Sequence, residues 1–132
     1  MKRGLLLHAE LSQVIASMGH GDLLVIGDAG LPIPDGPRRI DLAVTRGVPR
    51  FAEVLGAVLS ELQVERAVVA SEACMAGGAP RPPLWCAPLR PLVVEQVSHA
   101  QLKQRCREAK AIVRTGECTP YMNVLLYAGV VF

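Results

Sequence analysis

The spacing of hydrophobic residues along the chain predicts alternating helices and strands. Apolar residues at i, i+3, i+4 and i+7 predict helices over residues 9–18 and 51–62. Short apolar runs between glycine, proline or polar residues predict buried strands. These runs occupy residues 23–28, 65–70, 92–97, 111–114 and 123–131, with a shorter possible strand at residues 38–44.

Prolines and capping residues mark where the predicted elements begin and end. Pro49 suits the first turn of the helix that follows it. Ser98 and Gln101 have the form of a capping box, which predicts a further helix running to about Lys110. Residues 73–91 are rich in proline and follow no helical or strand period, so we expect a loop or irregular excursion there.

The alternation of strands and helices predicts an α/β fold with a mixed sheet flanked by helices. A length of 132 residues suits a single domain over residues 1–132 with one core. Hydrophobic residues make up 51% of the chain, which is high for a domain of this size. Because excess apolar surface usually ends in a subunit interface, we expect a homo-oligomer.

Charge and composition exclude several classes of function. The net charge is only +2, the basic residues are scattered and aromatic residues are 4% of the chain, so we expect no nucleic-acid partner. No apolar run approaches the ~18 residues of a membrane span. The four cysteines form no C-x-x-C pair and lack zinc-finger spacing with histidine, so we expect reduced thiols and no metal. His8 and Glu10 interrupt the apolar start of the chain, which argues against a signal peptide and for a cytoplasmic protein.

Candidate chemistry begins at the two ends of the strand predicted at residues 23–28. His20 lies between two glycines before it, and Asp28 ends it in the setting Gly-Asp-Ala-Gly. A histidine can give and take a proton near neutral pH, and a carboxylate can bind sugar hydroxyls or orient the histidine. The structural alternatives are a histidine at the end of a helix and a turn-capping aspartate. We interpret the stretch as one built to hold both groups in a cleft.

Two later segments carry further polar candidates. His99 falls at the first position of the capped helix, where the positive end of the helix favours a neutral ring that can both donate and accept. A solvent-facing histidine is the structural alternative. Tyr121 and Asn123 enter the last strand on either side of Met122, and a phenol and an amide can read hydroxyl groups. The chain contains no G-x-S-x-G elbow, P-loop or G-x-G-x-x-G motif.

Together these segments resemble the sugar mutarotase family that includes D-ribose pyranase and L-fucose mutarotase. The matching motifs follow the family order over nearly the whole chain: MKRG at 1–4, MGHGD at 18–22, DAGLPIP at 28–34, RIDLA at 39–43, GVP at 47–49, the helix start at His99, TGECTPYMN at 115–123 and AGV at 128–130. Gly21 is closer to the fucose branch, whereas the two longest motifs favour the ribose branch. Family members usually carry a longer and more polar segment where this chain has residues 73–91.

The resemblance implies a function and a set of site residues. It implies a compact α/β fold, ring-like homo-oligomers that are decamers of stacked pentamers, sites near subunit boundaries, and no metal or organic cofactor. His20 matches the proton donor of the family. The implied substrate-binding residues are Asp28, His99, Tyr121, Met122 and Asn123.

The implied activity is the interconversion of the pyranose and furanose forms of D-ribose. Ring opening needs a proton on the ring oxygen and the loss of one from the anomeric hydroxyl, which one histidine can manage. Alternatives are a mutarotase for another sugar such as L-fucose and a non-catalytic sugar-binding oligomer associated with uptake.

The length of the strand between His20 and Asp28 restricts where they can act. Six extended residues span roughly 20 Å, so residues at opposite ends of one strand cannot meet. Either the chain folds back at Gly27 and Asp28, or the two residues serve the sites of different subunits.

Overall fold

The centre of the fold is a mixed sheet, seen in a computed structural model that describes residues 1–75 and 81–132. Within these residues the strands are β1 (Leu23–Gly27), β2 (Arg38–Asp41), β3 (Val64–Ala70), β4 (Val94–Val97), β5 (Ala111–Arg114) and β6 (Val124–Ala128). Their spatial order is β2-β5-β1-β6-β3-β4. Strand β6 is antiparallel to its neighbours β1 and β3, and the remaining pairs are parallel. The predicted α/β class is confirmed.

Helices cover both faces of this sheet. They are α1 (Ala9–Ser17), α2 (Phe51–Leu59), α3 (Ser71–Met75) and α4 (His99–Arg105), with 3-10 segments at Leu84–Leu89 and Cys106–Glu108. Helices α1 and α2 and the first 3-10 segment pack on one face of the sheet, while α4 packs on the other. Among the described residues, no helix is long and apolar enough to cross a membrane.

Strand β1 is central and buried on both faces. Leu24 and Ile26 enter the core beneath α1 and α2, whereas Leu23 and Val25 enter the core beneath α4. A strand covered on both sides needs apolar residues at successive positions rather than in alternation. This requirement explains the continuous apolar run that predicted the strand.

Most predicted elements are confirmed, with three corrections. The expectation that Pro49 lies in the first turn of α2 is wrong, because the helix begins at Phe51 with Arg50 as its N-cap, whose main-chain N–H donates to the Glu53 carboxylate at 3.0 Å. The capping box of α4 is present, but the regular helix ends at Arg105. The region 73–91, predicted as irregular, contains the end of α3 and a 3-10 segment; its residues 76–80 lie outside the described residues.

The direction of β6 decides which residues share an edge of the sheet. We call the edge where the parallel strands end, after Gly27, Ala70, Val97 and Arg114, the carboxyl edge, and the opposite one the amino edge. Because β6 runs the other way, it begins at the carboxyl edge and ends at the amino edge. The segment leading into β6 therefore meets the residues that follow β1, β3, β4 and β5.

Substitution of Gly116 tests how tightly the loop after β5 is docked. A Cβ there would lie 2.5 Å from the carbonyl oxygen of Thr45 and against that of Val48. Backbone atoms cannot yield as a flexible side chain can, so we expect Gly116→Ala to lower the free energy of unfolding by about 3 kcal/mol or more.

Gly56→Ala is the matched control, since nothing lies within 4 Å of the added Cβ in the middle of α2. It should stabilise the fold by about 0.5–1 kcal/mol through helix propensity. Urea denaturation of both variants measures the difference; equal stabilities would contradict the docking described here.

Candidate functional site

The core of the candidate site is a reciprocal pair between Asp28 and Asn123 at the carboxyl edge. The Asn123 side chain accepts a hydrogen bond from the Asp28 N–H at 2.9 Å and donates one to the Asp28 carboxylate at 3.1 Å. The other carboxylate oxygen accepts the Gly30 N–H at 2.9 Å. Both residues are buried, with 9% and 1% exposure. This pair fixes the carboxylate in one orientation.

The local sequence makes this pair possible. Asp28 directly follows β1, Asn123 directly precedes β6, and the two strands are antiparallel neighbours in which Ile26 faces Val124. A Cβ at Gly27 would lie 3.1 Å from the Asn123 side-chain oxygen and 2.5 Å from the Leu31 side chain. Glycine at position 27 therefore lets the Asn123 amide reach the backbone of Asp28.

The loop after β5 holds the residues on either side of Asp28 by hydrogen bonds. The Thr115 hydroxyl donates to the Gly27 carbonyl at 2.9 Å, and the Glu117 carbonyl accepts the Ala29 N–H at 2.8 Å. Partial burial opposes the charge on the Glu117 carboxylate. Hydrogen bonds from Thr119, from the Phe51 N–H and from the Cys118 N–H outweigh that effect and lower its pKa.

His99 and Tyr121 extend the site along the same edge. The His99 ring meets the Tyr121 ring edge to face, with centroids 5.1 Å apart. The main-chain N–H of His99 donates to the Glu72 carboxylate, at 2.9 and 3.0 Å from its two oxygens, and this hydrogen bond lowers the pKa of Glu72. Tyr121 has a positive φ of 62°, a strained conformation for a bulky residue, and its carbonyl accepts the Asn123 N–H. Asp28, Asn123, Tyr121 and His99 thus form one connected series.

The Nε2 atom of His99 is a buried polar atom that meets no hydrogen-bonding group within residues 1–75 and 81–132. Leaving such an atom unpaired costs about 1–3 kcal/mol. Its ring packs edge to face against the exposed Tyr121 ring, so the unpaired nitrogen belongs to the part of the site that borders the surface.

His20 lies at the amino edge, away from this series. It follows α1 in a tight turn where Gly21 has a φ of 81° and donates its N–H to the Ala128 carbonyl at 2.8 Å. Strand β1 is paired with β5 and β6 along its length. Its five residues separate His20 from Asp28 by about 16 Å or more. A fold-back at Gly27 and Asp28 does not occur, and one chain does not place both residues in one cleft.

The remaining candidates are structurally less informative. The Met122 side chain packs against the core beneath α1 and α2.

A cavity of about 450 Å³ borders the Asp28 turn between Ala29, Arg46, Arg114 and Cys118. A larger one, about 600 Å³, lies in the proline-rich region and contains no predicted site residue. Within the described ranges, no three His, Cys, Asp or Glu side chains are grouped as a metal ion would need.

Sequence reasoning assigned no role to several carboxylates that the structure places around the candidates. Glu117 lies inside a motif that was recognised, but its role depends on which amides surround it. Glu72 is 27 residues from its His99 partner, and Glu65 is 45 residues from its His20 partner. No local pattern links residues so far apart, so only the fold identifies them.

The chain is similar to known proteins over its whole length. The model of the RbsD / FucU transport protein family matches residues 1–131. A D-ribose pyranase of Variovorax paradoxus is 64% identical over 132 residues, and one of Vibrio vulnificus is 49% identical over 143, each alignment covering all of both chains. The short segment at residues 73–91 therefore still allows full-length alignment with a relative.

Two solved structures define the fold relationship. Bacillus subtilis RbsD complexed with D-ribose superposes with a TM-score of 0.89 at 36% identity, over the whole of both chains. The fucose mutarotase of Streptococcus pneumoniae, in complex with L-fucose, gives a TM-score of 0.71 at 22% identity over the same coverage. The second comparison shows a shared fold alone.

Removal of the Asn123 amide tests the reciprocal pair. Asn123→Ala leaves the buried Asp28 N–H without its acceptor and frees one carboxylate oxygen. We expect the free energy of unfolding to fall by about 1–3 kcal/mol, measured by urea denaturation. Gln104→Ala, on the exposed face of α4, should change it by no more than about 0.5 kcal/mol; a similar change in both variants would contradict the pair's role.

The lowered pKa of Glu117 predicts a pH-dependent contribution to stability. Its ionised form is favoured by folding, so its contribution is complete above the ordinary glutamate value of 4.5 and is lost as pH falls through the lower folded value. Glu117→Gln should therefore destabilise the protein by about 1 kcal/mol at neutral pH and by progressively less in acid. Denaturation from pH 7 to pH 3, with Glu108→Gln as an exposed control, measures this. A difference that stays constant over this range would contradict the assignment.

Proposed function

The chain belongs to the RbsD / FucU transport protein family, and we propose that it is a D-ribose pyranase, an isomerase that interconverts the pyranose and furanose forms of D-ribose. The observation that carries the proposal is the connected series Asp28, Asn123, Tyr121 and His99, in which a buried ring nitrogen lacks a partner among the described residues. Full-length identity of 64% to a protein named D-ribose pyranase supports the choice of sugar.

The carboxyl edge is the part of the proposed site that holds the sugar. The Asp28 carboxylate accepts hydrogen bonds from hydroxyls, and Asn123 keeps it oriented. The His99 Nε2 atom and the Tyr121 phenol supply groups that can pair with further hydroxyls. Met122, whose side chain packs on the core, would contribute its main-chain N–H and C=O. A polyol such as ribose matches this mixture of donors and acceptors.

His20 is the proton-transfer group in the proposed mechanism. It takes the proton of the anomeric hydroxyl as the bond between C1 and the ring oxygen breaks, and a proton is delivered to that ring oxygen, giving the open aldehyde. Reclosure through a different hydroxyl reverses these steps, so the enzyme ends unchanged. General acid–base assistance contributes about 10²–10⁴-fold, and positioning the sugar adds to it. The reaction moves protons, breaks one C–O bond and forms another, so no metal or organic cofactor enters the proposal.

We propose that His20 reaches the sugar from a second copy of the chain. Its side chain is 63% exposed at the amino edge, while the sugar-holding residues lie at the far end of β1 in the same chain. A homo-oligomer that apposes the amino edge of one subunit to the carboxyl edge of another completes the site. The decamer of stacked pentamers implied by the family resemblance is our proposed assembly.

Free cysteines, three of them buried, suit a reducing compartment, and we propose the cytoplasm.

Two alternatives have specific support. The family model includes FucU and the fold is shared with a fucose mutarotase, which leaves L-fucose as a second substrate. Identity to the ribose-bound structure is 36%, against 22% for the fucose-bound one, and this favours ribose. The description of the family as transport proteins supports a sugar-binding oligomer without catalysis.

Saturation-transfer NMR on D-ribose distinguishes these alternatives. Saturation of a pyranose signal should pass to the furanose signals faster with the protein than without it. A parallel measurement with L-fucose shows whether the protein also accelerates exchange between the forms of that sugar. Ribose that binds but exchanges at the spontaneous rate would contradict the pyranase and leave the binding oligomer.

Complementation between inactive variants tests the shared site. His20→Ala and Asp28→Ala should each abolish the accelerated exchange when assembled alone. Refolded together in equal amounts, they should recover about a quarter of wild-type activity, because random assembly pairs an intact His20 with an intact Asp28 at that frequency. Wild-type protein that is unfolded and refolded in the same way serves as the control. Absence of any recovery, with mixed oligomers demonstrated by mass spectrometry, would contradict a site built from two chains.

A further inference from the structure

The amino edge holds a hydrogen-bonded histidine–carboxylate pair, His20 with Glu65, that has no role in the proposed mechanism so far. The Nε2 atom of His20 lies 2.8 and 3.0 Å from the two carboxylate oxygens of Glu65. An ionised carboxylate offers only acceptors, so Nε2 is the donor and carries a proton. The opposite nitrogen of the ring, Nδ1, is thereby left for another partner.

Glu65 is placed by an irregularity in the sheet. In the pairing of β3 with β6, Val64 faces Ala128 and Arg66 faces Tyr127, so Glu65 is the extra residue of a β-bulge. Two consecutive residues of β3, Glu65 and Arg66, are exposed as a result. Arg66 turns to Glu95, which leaves Glu65 to contact His20. Bulges commonly re-aim a side chain beside a functional site.

The surroundings of Glu65 also leave room for its side chain. A Cβ at Gly129 would lie 3.0 Å from the Glu65 Cβ and 3.5 Å from a carboxylate oxygen. The same end of β6 anchors the His20 turn, because the Ala128 carbonyl accepts the Gly21 N–H. The bulge in β3, the end of β6 and the turn after α1 therefore converge on one histidine–carboxylate pair.

We propose that Glu65 is a positioning residue for His20, holding Nε2–H so that Nδ1 is the nitrogen that exchanges protons with the sugar. This rests on the proposed function, in which His20 transfers the proton. The hydrogen bond made by one ring nitrogen selects the tautomer and orientation of the other. Here it would aim an exposed ring away from its own subunit toward the sugar held by a neighbour.

The proton count is unchanged by this arrangement. Nδ1 accepts the proton of the anomeric hydroxyl as the bond from C1 to the ring oxygen breaks, which makes the ring an imidazolium. Nδ1 then returns a proton to the ring oxygen. Glu65 exchanges no proton in these steps and stabilises the transient positive charge, as the carboxylate of a catalytic triad does.

The test compares Glu65→Ala and Glu65→Gln with the control Glu10→Gln. Glu10 is a carboxylate of matching exposure, 42% against 43% for Glu65, and it pairs with Arg38 instead. Saturation-transfer exchange on ribose should fall about tenfold or more in Glu65→Ala and less in Glu65→Gln, whose side-chain oxygen still accepts from Nε2. Ribose affinity by calorimetry and oligomer size should change less than about twofold in both, and Glu10→Gln should match the wild type.

Two outcomes would overturn the proposal. One is full exchange activity in Glu65→Ala. The other is a wild-type ¹⁵N-histidine spectrum in which the neutral His20 ring carries its proton on Nδ1, with His20→Ala used for assignment. His20→Ala also separates the hypotheses: if it is inactive while Glu65→Ala is fully active, only the role of Glu65 fails, and if His20→Ala is itself active, the proposed proton transfer fails.

Discussion

The length of β1 is the constraint on which the rest of the account depends. The strand is paired on both sides and buried on both faces, so it cannot bend to bring its ends together. His20 stands before it and Asp28 stands after it, which divides the candidate chemistry between two edges of one sheet. In the site we propose, a single subunit carries the sugar-binding residues at one edge and the proton-transferring histidine at the other. Oligomerisation becomes part of the proposed mechanism rather than an addition to it.

Strand β6 serves both halves because it runs against its neighbours. Its first flanking residue, Asn123, orients Asp28 at the carboxyl edge. Its other end supplies Ala128, which anchors the His20 turn, and Gly129, which makes room for Glu65. In an all-parallel sheet, the segment before this strand would lie at the amino edge and Asn123 would not reach Asp28. One antiparallel strand thus couples the geometry of the two half-sites.

The local parts of this structure could be predicted from the sequence, and the long-range parts could not. Strand β1, helix α1 and the capping box at Ser98 follow from hydrophobic period and capping chemistry, which operate over a few residues. The strand length also showed that His20 and Asp28 cannot meet at opposite ends of one extended strand, but only the structure excluded a fold-back at Gly27 and Asp28. The partners Glu65 and Glu72 were missed because a bulge and a contact across 27 residues of chain leave no local pattern. The 3-10 segment at Leu84–Leu89 was missed because Pro88 inside it and the prolines on either side predict irregular structure.

The most direct test of the shared site is a crystal structure of the oligomer grown with D-ribose, at a resolution that defines the sugar ring. We predict a ribose in contact with Asp28 and His99 of one chain, with the His20 imidazole of a different chain within hydrogen-bonding distance of the ring oxygen or the anomeric hydroxyl. A ribose bound at the carboxyl edge with no histidine from a second chain nearby would contradict it.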